Sequence, residues 1–151
     1  MNIKVFSIEK SSDRAVEAMS GEYKKMISRF SNFEDIILFN KQIGQAQNIG
    51  AIEAKNAYLK AYEPHLRGYN VALDVCGSEC DSFEFSKIFD KEININFFIG
   101  GAYGFNEEFL KKTDKVISLS KLTYAHKIAK VVLLEQIYRG LCIKNNHPYH
   151  K

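Results

Sequence analysis

The residues best equipped for chemistry crowd the carboxyl end of the sequence. "GLCIKNNHPYHK" (Gly140–Lys151) carries His147, Pro148, Tyr149, His150 and Lys151 on its last positions, with Lys144 just before them. An imidazole exchanges protons near neutral pH, a phenol stacks on a base or donates a hydrogen bond, and an ammonium meets phosphate. Chain ends ordinarily fray and hold solubilising filler. Two readings therefore stand: a solvated tail that happens to be aromatic, or a docked terminus that completes a site.

A second set of candidates sits on three short stretches, "LDVCG" (73–77), "FFIGGAYGF" (97–105) and "ISLSKLTYAH" (117–126). Gly100, Gly101 and Gly104 permit positive φ and close approach of the backbone to a ligand. Ser120, Lys121 and Thr123 add hydroxyl, ammonium and backbone groups. The three cysteines, Cys76, Cys80 and Cys142, are odd in number, and the Cys76/Cys80 pair lacks a second pair at ligand spacing. Inert thiols in a reducing, cytoplasmic setting are the expectation, with no metal and no disulfide framework.

Charge points to the same region. The stretch from Lys121 to Lys151 holds six Lys or Arg against the single acid Glu135, a net +5, whereas the preceding 120 residues net −2. A local basic field suits a phosphate-bearing partner, and a solvated charged helix would carry the same residues.

The elements that must position these groups alternate. "NIKVFSI" reads as a strand, followed by a helix through "SSDRAVEAMSGEYKKMISRF" with Ser11 or Ser12 as its cap. "FEDIILFN" (33–40) is a second strand, and "KQIGQAQNIG" a polar connection into a helix over "AIEAKNAYLKAYE". "YNVALDVCG" (69–77) reads as a strand buried on both faces, "SFEFSKIFDKE" as a short helix and "INFFIGGAYG" as a fourth strand. A helical turn at "NEEFLKKT", a fifth strand at "KVISLS" and a last helix at "YAHKIAKVVLLEQIYRGLCI" complete the chain. Alternation of this kind implies a single α/β domain over residues 1–151 with a mostly parallel sheet flanked by helices. Ligands of such sheets collect at the carboxyl ends of strands, where all three candidate stretches fall.

The last helix has Val131, Val132, Leu133 and Leu134 in succession, which at about 100° per residue spreads apolar groups nearly all round it. A second cover is needed, and a second copy of the chain is the simplest; a wholly internal helix would leave Lys127, Lys130 and Arg139 to find solvent or an anion. No apolar run approaches the roughly 20 residues of a membrane span, and "MNIKVFSIEK" does not read as a signal peptide. The turn after the first strand, "SIEKSSDR", has no glycine, and G-x-x-x-x-G-K-[ST] is missing, which argues against dinucleotide and Walker-type sites.

"FFIGGAYGF", "ISLSKLTYAH", "LLEQIYRG" and "HPYHK" follow one another here in the order and spacing of the RlmH family, bacterial SPOUT-class methyltransferases that modify pseudouridine in large-subunit ribosomal RNA. The chain resembles that family over its whole length. The resemblance implies an α/β knot, a homodimer, and S-adenosylmethionine as cofactor, held by Leu73, Gly101, Leu119, Ser120, Lys121, Leu122, Thr123 and Tyr124. It implies methylation of the N3 imide of a pseudouridine in the assembled ribosome. Arg139 would then anchor phosphate or substrate, with Tyr149 and His150 at the target base, His150 as proton acceptor and His126 assisting the loop. Lys121, Lys130, Arg139, Lys144 and Lys151 would meet RNA. The terminus would lie over the pocket, the partner's rather than its own. Two positions depart from the family pattern: Lys130 stands where many relatives have arginine, and Ala102 where many have proline or serine. Two alternatives remain at this level: a SPOUT methyltransferase acting on tRNA or a ribose oxygen, and a non-catalytic ribosome-binding module of the same fold.

Overall fold

The computed structural model describes residues 1–11 and 13–151. Five strands form one sheet: β1 (Asn2–Ser7), β2 (Asn32–Ile37), β3 (Tyr69–Glu79), β4 (Asn94–Ile99) and β5 (Lys115–Ser118). Their spatial order is β2-β1-β4-β3-β5, and every pairing is parallel. The sheet is therefore the parallel one that the alternation implied.

Side chains alternate across the strands, so each strand feeds two cores. Ile3, Val5, Val71, Ile95, Phe97 and Ile117 face one layer, which contains α1 (Arg14–Ile27), α4 (Ser82–Ser86) and α6 (His126–Lys144). Phe6, Ala72 and Phe98 face the other, packed by Ile43 of α2 (Lys41–Ile49), Tyr58 and Tyr62 of α3 (Ala51–Tyr62) and Phe109 of α5 (Glu107–Lys111). Covering both faces is the arrangement that parallel strands require.

Local chemistry sets the helix starts. Asp13 caps α1, its carboxylate accepting from the amides of Ala15 and Val16. The cap expected at Ser11 or Ser12 thus falls two or one residues later, and Ser12 itself lies outside the described residues. The stretch read as a polar connection is helix α2. Asn40 caps it by accepting from the Ile43 amide at 2.8 Å, and Ile43 is fully buried, so one cap and one anchor outweigh Gly44.

β3 is longer than expected and interrupted. Leu73 and Ser78 both align with Ile117 of β5, so Asp74–Gly77 leave the ladder as a bulge and only Asn70–Ala72 are buried. Gly77 is where the bulge rejoins: a Cβ there would stand 2.5 Å from the Ile117 carbonyl carbon.

The apolar girdle of α6 is covered largely within its own chain. α1 packs on one side and α4 on the other, and Val131, Leu133, Leu134, Ile137, Leu141 and Cys142 are buried between them and the sheet. The helix therefore does not by itself demand a second copy. Lys130 is the group that makes this arrangement workable, because its anion is internal. Its Nζ lies 2.8 Å from Asp35 Oδ1, 3.2 Å from Glu9 Oε1 and 3.1 Å from Ser7 Oγ, with its side chain only 4% exposed. Lys24 of α1 also pairs with Asp35. This corrects the expectation that Lys130 meets RNA.

Candidate active site

A cavity of about 490 Å³ opens at the carboxyl ends of β3, β4 and β5. Its walls are the β3 bulge (Leu73, Asp74, Val75), the glycine turn after β4 (Gly100–Gly104), and the segment from β5 into α6 (Ser118–Ser120, Leu122–His126), with Ala129 behind. All three candidate stretches therefore converge on one space of the size that small-molecule cofactors occupy. Of the eight residues expected to hold the cofactor, Leu73, Gly101, Leu119, Ser120, Leu122, Thr123 and Tyr124 line it. Lys121 does not; it is exposed on the same loop, turned out of the lining.

Hydrogen bonds within the loop shape it. Ser118 donates through its hydroxyl to the Ser120 carbonyl at 2.7 Å, and Ser120 Oγ accepts from the Leu122 amide at 3.0 Å. Asp74 Oδ1 accepts from the Cys76 amide at 2.9 Å, fixing the bulge. Leu122 is 71% exposed, an apolar side chain at the rim of an apolar slot.

The glycine turn has a different rationale from the expected one. Gly104 donates its amide to the Gly101 carbonyl at 3.0 Å, closing a tight turn. A Cβ on Gly101 would meet the Tyr58 ring at 2.5–2.8 Å, on the side of the α3 core. Glycine is needed there so that the turn can lie against Tyr58, and the cavity sees Gly101 through its backbone. Tyr58 is held in turn by Gln47, which donates to its hydroxyl at 2.6 Å, and burial raises its pKa above the phenol value.

The carboxyl terminus is docked, not frayed. Tyr149 packs edge-on against Tyr138 with ring centroids 4.6 Å apart, and the Arg139 guanidinium sits 4.8 Å from the Tyr149 ring centre. Glu135 organises the group: its Oε1 accepts from Arg139 Nη2 at 2.6 Å, from Arg139 Nε at 2.9 Å and from the Tyr149 hydroxyl at 3.1 Å. Its other oxygen accepts from Gln136 Nε2. Hydrogen bonding to Glu135 raises the Arg139 pKa, and burial, followed by Tyr23 and Glu135, holds the Tyr149 phenol far above its ordinary value. His150 rests edge-on against Phe83 at 4.8 Å, with its Nδ1 3.3 Å from Arg139 Nη1.

Arg139, Tyr149 and His150 thus form one cluster, but they do not line the cavity of their own chain. Arg139 stands ten residues beyond Ala129, about 15 Å along the helix axis. His126, at the start of α6, does line the cavity. Among the remaining cations, Lys144 is paired with Asp90 and donates to the Phe89 carbonyl at 3.2 Å, so its charge is largely committed. Lys151 is exposed at the end. No group of three or more His, Cys, Asp and Glu is placed to hold a metal ion among the described residues, and none of their helices is long and apolar enough to cross a membrane.

Residues 1–150 match the family model described as a predicted SPOUT methyltransferase. The chain belongs to the SPOUT methyltransferase family. It is 52% identical over 151 residues to the ribosomal RNA large subunit methyltransferase H of Aliarcobacter butzleri, covering all of both chains. It is 53% identical, again over the full length of both, to the protein of the same name from Campylobacter concisus. Among solved structures, a probable methylase family protein from Haemophilus influenzae shares the fold with a TM-score of 0.58 at 13% identity, matching 99% of this chain and 70% of that one.

Sequence reasoning missed Asp74, Tyr103 and Ala129 in the cavity wall and Glu135 in the terminal cluster. Glu135 was legible: it stands four residues before Arg139, the spacing at which a helix brings carboxylate and guanidinium together. By composition alone it reads only as the lone acid in a basic stretch. Asp74 gave no signal, because nothing in "LDVCG" shows that the strand bulges there.

Proposed function

We propose that the chain is an S-adenosylmethionine-dependent methyltransferase of large-subunit ribosomal RNA whose acceptor is the N3 imide of a pseudouridine. The observation that carries this reading is the cavity itself. Three loops at adjacent strand ends enclose it, in a chain about half identical over its full length to proteins named as ribosomal RNA large subunit methyltransferases.

The residues fit the cofactor. Leu73, Ile99, Leu119 and Leu122 offer an apolar slot for an adenine, and the loop backbone around Gly101 and Thr123 offers hydrogen-bonding groups. When bound, S-adenosylmethionine supplies an already activated methyl group, so the protein's task is placement rather than activation. Ser118 and Ser120 stiffen the loop that receives it.

The terminal cluster completes the site across a two-fold, in this reading. Within one chain the cluster and the cavity lie apart, and a second copy brings Arg139, Tyr149 and His150 of one subunit to the cavity of the other. Phe83, Leu122, Tyr124 and Ile128 are exposed apolar groups near these two regions, the kind of surface such a dimer covers. The threading of the late loops into a knot belongs to the same reading. Lys121, Lys151 and Arg139 then supply positive charge to RNA phosphates. The net charge of +3 is modest for RNA capture, which favours a substrate whose own folded particle provides much of the binding surface.

Mass mapping of large-subunit ribosomal RNA tests the proposal. Cells lacking the gene lose one methyl from one pseudouridine and regain it on complementation; an unchanged methylation map refutes the assignment. The oligomeric state of the purified chain in solution tests the composite site, which a strictly monomeric, active protein would rule out.

A further inference from the structure

The terminal cluster has a chemical consequence that its residue types alone do not carry. A guanidinium only donates hydrogen bonds. Arg139 Nη1 stands 3.3 Å from Nδ1 of His150, so Nδ1 is the acceptor and its lone pair is occupied. A neutral His150 then carries its proton on Nε2. The nitrogen left to face a substrate is a donor with no lone pair to offer.

Arg139 can hold that position because Glu135 holds Arg139. One carboxylate oxygen takes both Nε and Nη2, the geometry that leaves Nη1 directed at the imidazole, and the same oxygen takes the Tyr149 hydroxyl proton. Ser82 extends the chain on the α4 side, donating through its hydroxyl to Gln136 Oε1 at 2.9 Å, while Gln136 donates to Glu135 Oε2. Tyr23 of α1 faces the cluster from the other side and Phe83 of α4 closes over the ring. Glu135 is 18% exposed in its side chain, so these bonds are partly shielded from water.

We propose that Glu135 is a positioning residue, which through Arg139 fixes His150 as the Nε2–H tautomer and makes it a hydrogen-bond donor to the acceptor base rather than its proton acceptor. The inference rests on the composite methyltransferase site described above. In it, the acceptor's N3–H proton is lost to water, the nitrogen pair forms the new N–C bond, and the S–C bonding electrons return to sulfur. Negative charge that develops on the imide oxygens meets the His150 Nε2–H and the remaining Arg139 N–H groups. The Tyr149 phenol, its proton already committed to Glu135, is no base either. This replaces the expectation that His150 takes the proton.

The decisive experiment reads the ring nitrogens of His150 by 15N NMR in the full-length protein at a pH where the ring is neutral. The expected pattern is an unprotonated Nδ1 and a protonated Nε2 in the wild type, with the two tautomers mixing in Glu135→Gln and Glu135→Ala. A protonated Nδ1 in the wild type, or an unchanged pattern in both variants, overturns the proposal. Kinetics on the ribosomal substrate give the second readout. Glu135→Gln should lower kcat by roughly 10²-fold with an unchanged KM for S-adenosylmethionine, and Glu135→Asp should recover part of it. A loss carried by the KM alone, or a rate in Glu135→Gln equal to wild type, contradicts the positioning role. Absence of methyl transfer by the wild type would sink the functional reading instead, and leaves the NMR result to decide the tautomer.

Discussion

Replacing Lys130 by methionine separates two accounts of a basic residue on the last helix. In the structure the ammonium is enclosed by Asp35 Oδ1 at 2.8 Å, Ser7 Oγ at 3.1 Å and Glu9 Oε1 at 3.2 Å. Glu9 and Asp35 are themselves nearly inaccessible, with side chains 7% and 6% exposed. Methionine fills the volume but leaves two buried carboxylates, with only the half-exposed Lys24 still touching Asp35. Removing one member of a buried ionic group costs about 3–5 kcal/mol, because the uncompensated charge stays behind. In a domain of this length each kcal/mol moves the melting temperature by about 2–4 °C, so Lys130→Met should melt roughly 6–20 °C lower. Calorimetric melting of the variant, alone and combined with Glu9→Gln and Asp35→Asn, measures this. The triple variant should regain most of the loss, since no buried charge remains to be orphaned and the half-exposed Lys24 that loses Asp35 can turn to water. Ribosome binding provides the counter-test. A Lys130→Met protein that melts with the wild type but loses about one unit from the salt dependence of RNA binding would make Lys130 a phosphate contact, and the buried-network account would fail.

The other predictions concern distinct regions. Gly101→Ala should destabilise by about 1–3 kcal/mol in denaturant unfolding, because its Cβ falls on the Tyr58 ring; in Tyr58→Ala the same glycine change should be nearly neutral, and equal costs in both backgrounds would refute the contact. His65 has its pKa lowered by burial and then by Lys4 and Arg67. The unfolded chain therefore binds the proton more readily, so stability falls as pH drops through the unfolded value near 6.5, and His65→Gln should flatten that acid limb. An NMR midpoint for His65 above 6.5 would contradict this. Cys142 is fully buried and burial pushes its thiol pKa up, whereas Cys76 is exposed; a maleimide should label Cys76 in the native protein and reach Cys142 only on unfolding, as peptide mass mapping would show.

The sequence was most legible where periodicity and glycines speak directly. Strand–helix alternation gave the parallel sheet, and the three stretches ending β3, β4 and β5 meet at one cavity. It was least legible where a tertiary partner decides. Lys130 reads as a solvent-seeking charge because its two carboxylates lie 121 and 95 positions away, just after β1 and on β2. Gly101 looked like a ligand-facing glycine because nothing in "IGGAYG" reveals the Tyr58 ring behind it. The polar run Lys41–Ile49 hid a helix whose stability comes from the Asn40 cap and buried Ile43, neither of which changes its composition. Likewise the apolar belt of α6 asked for two covers without telling whether α1 and α4 or another subunit provides them.

S-adenosylmethionine is expected to bind in the crevice bounded by Leu73, Gly101 and the Leu119–Tyr124 loop. Isothermal titration of the wild type and of Ala125→Trp, which places an indole on the cavity wall, tests it most directly. Saturable binding at one cofactor per chain is expected in the wild type and its loss in the variant, at an unchanged melting temperature without ligand. Equal affinity in the two proteins, or no binding to the wild type, would contradict it.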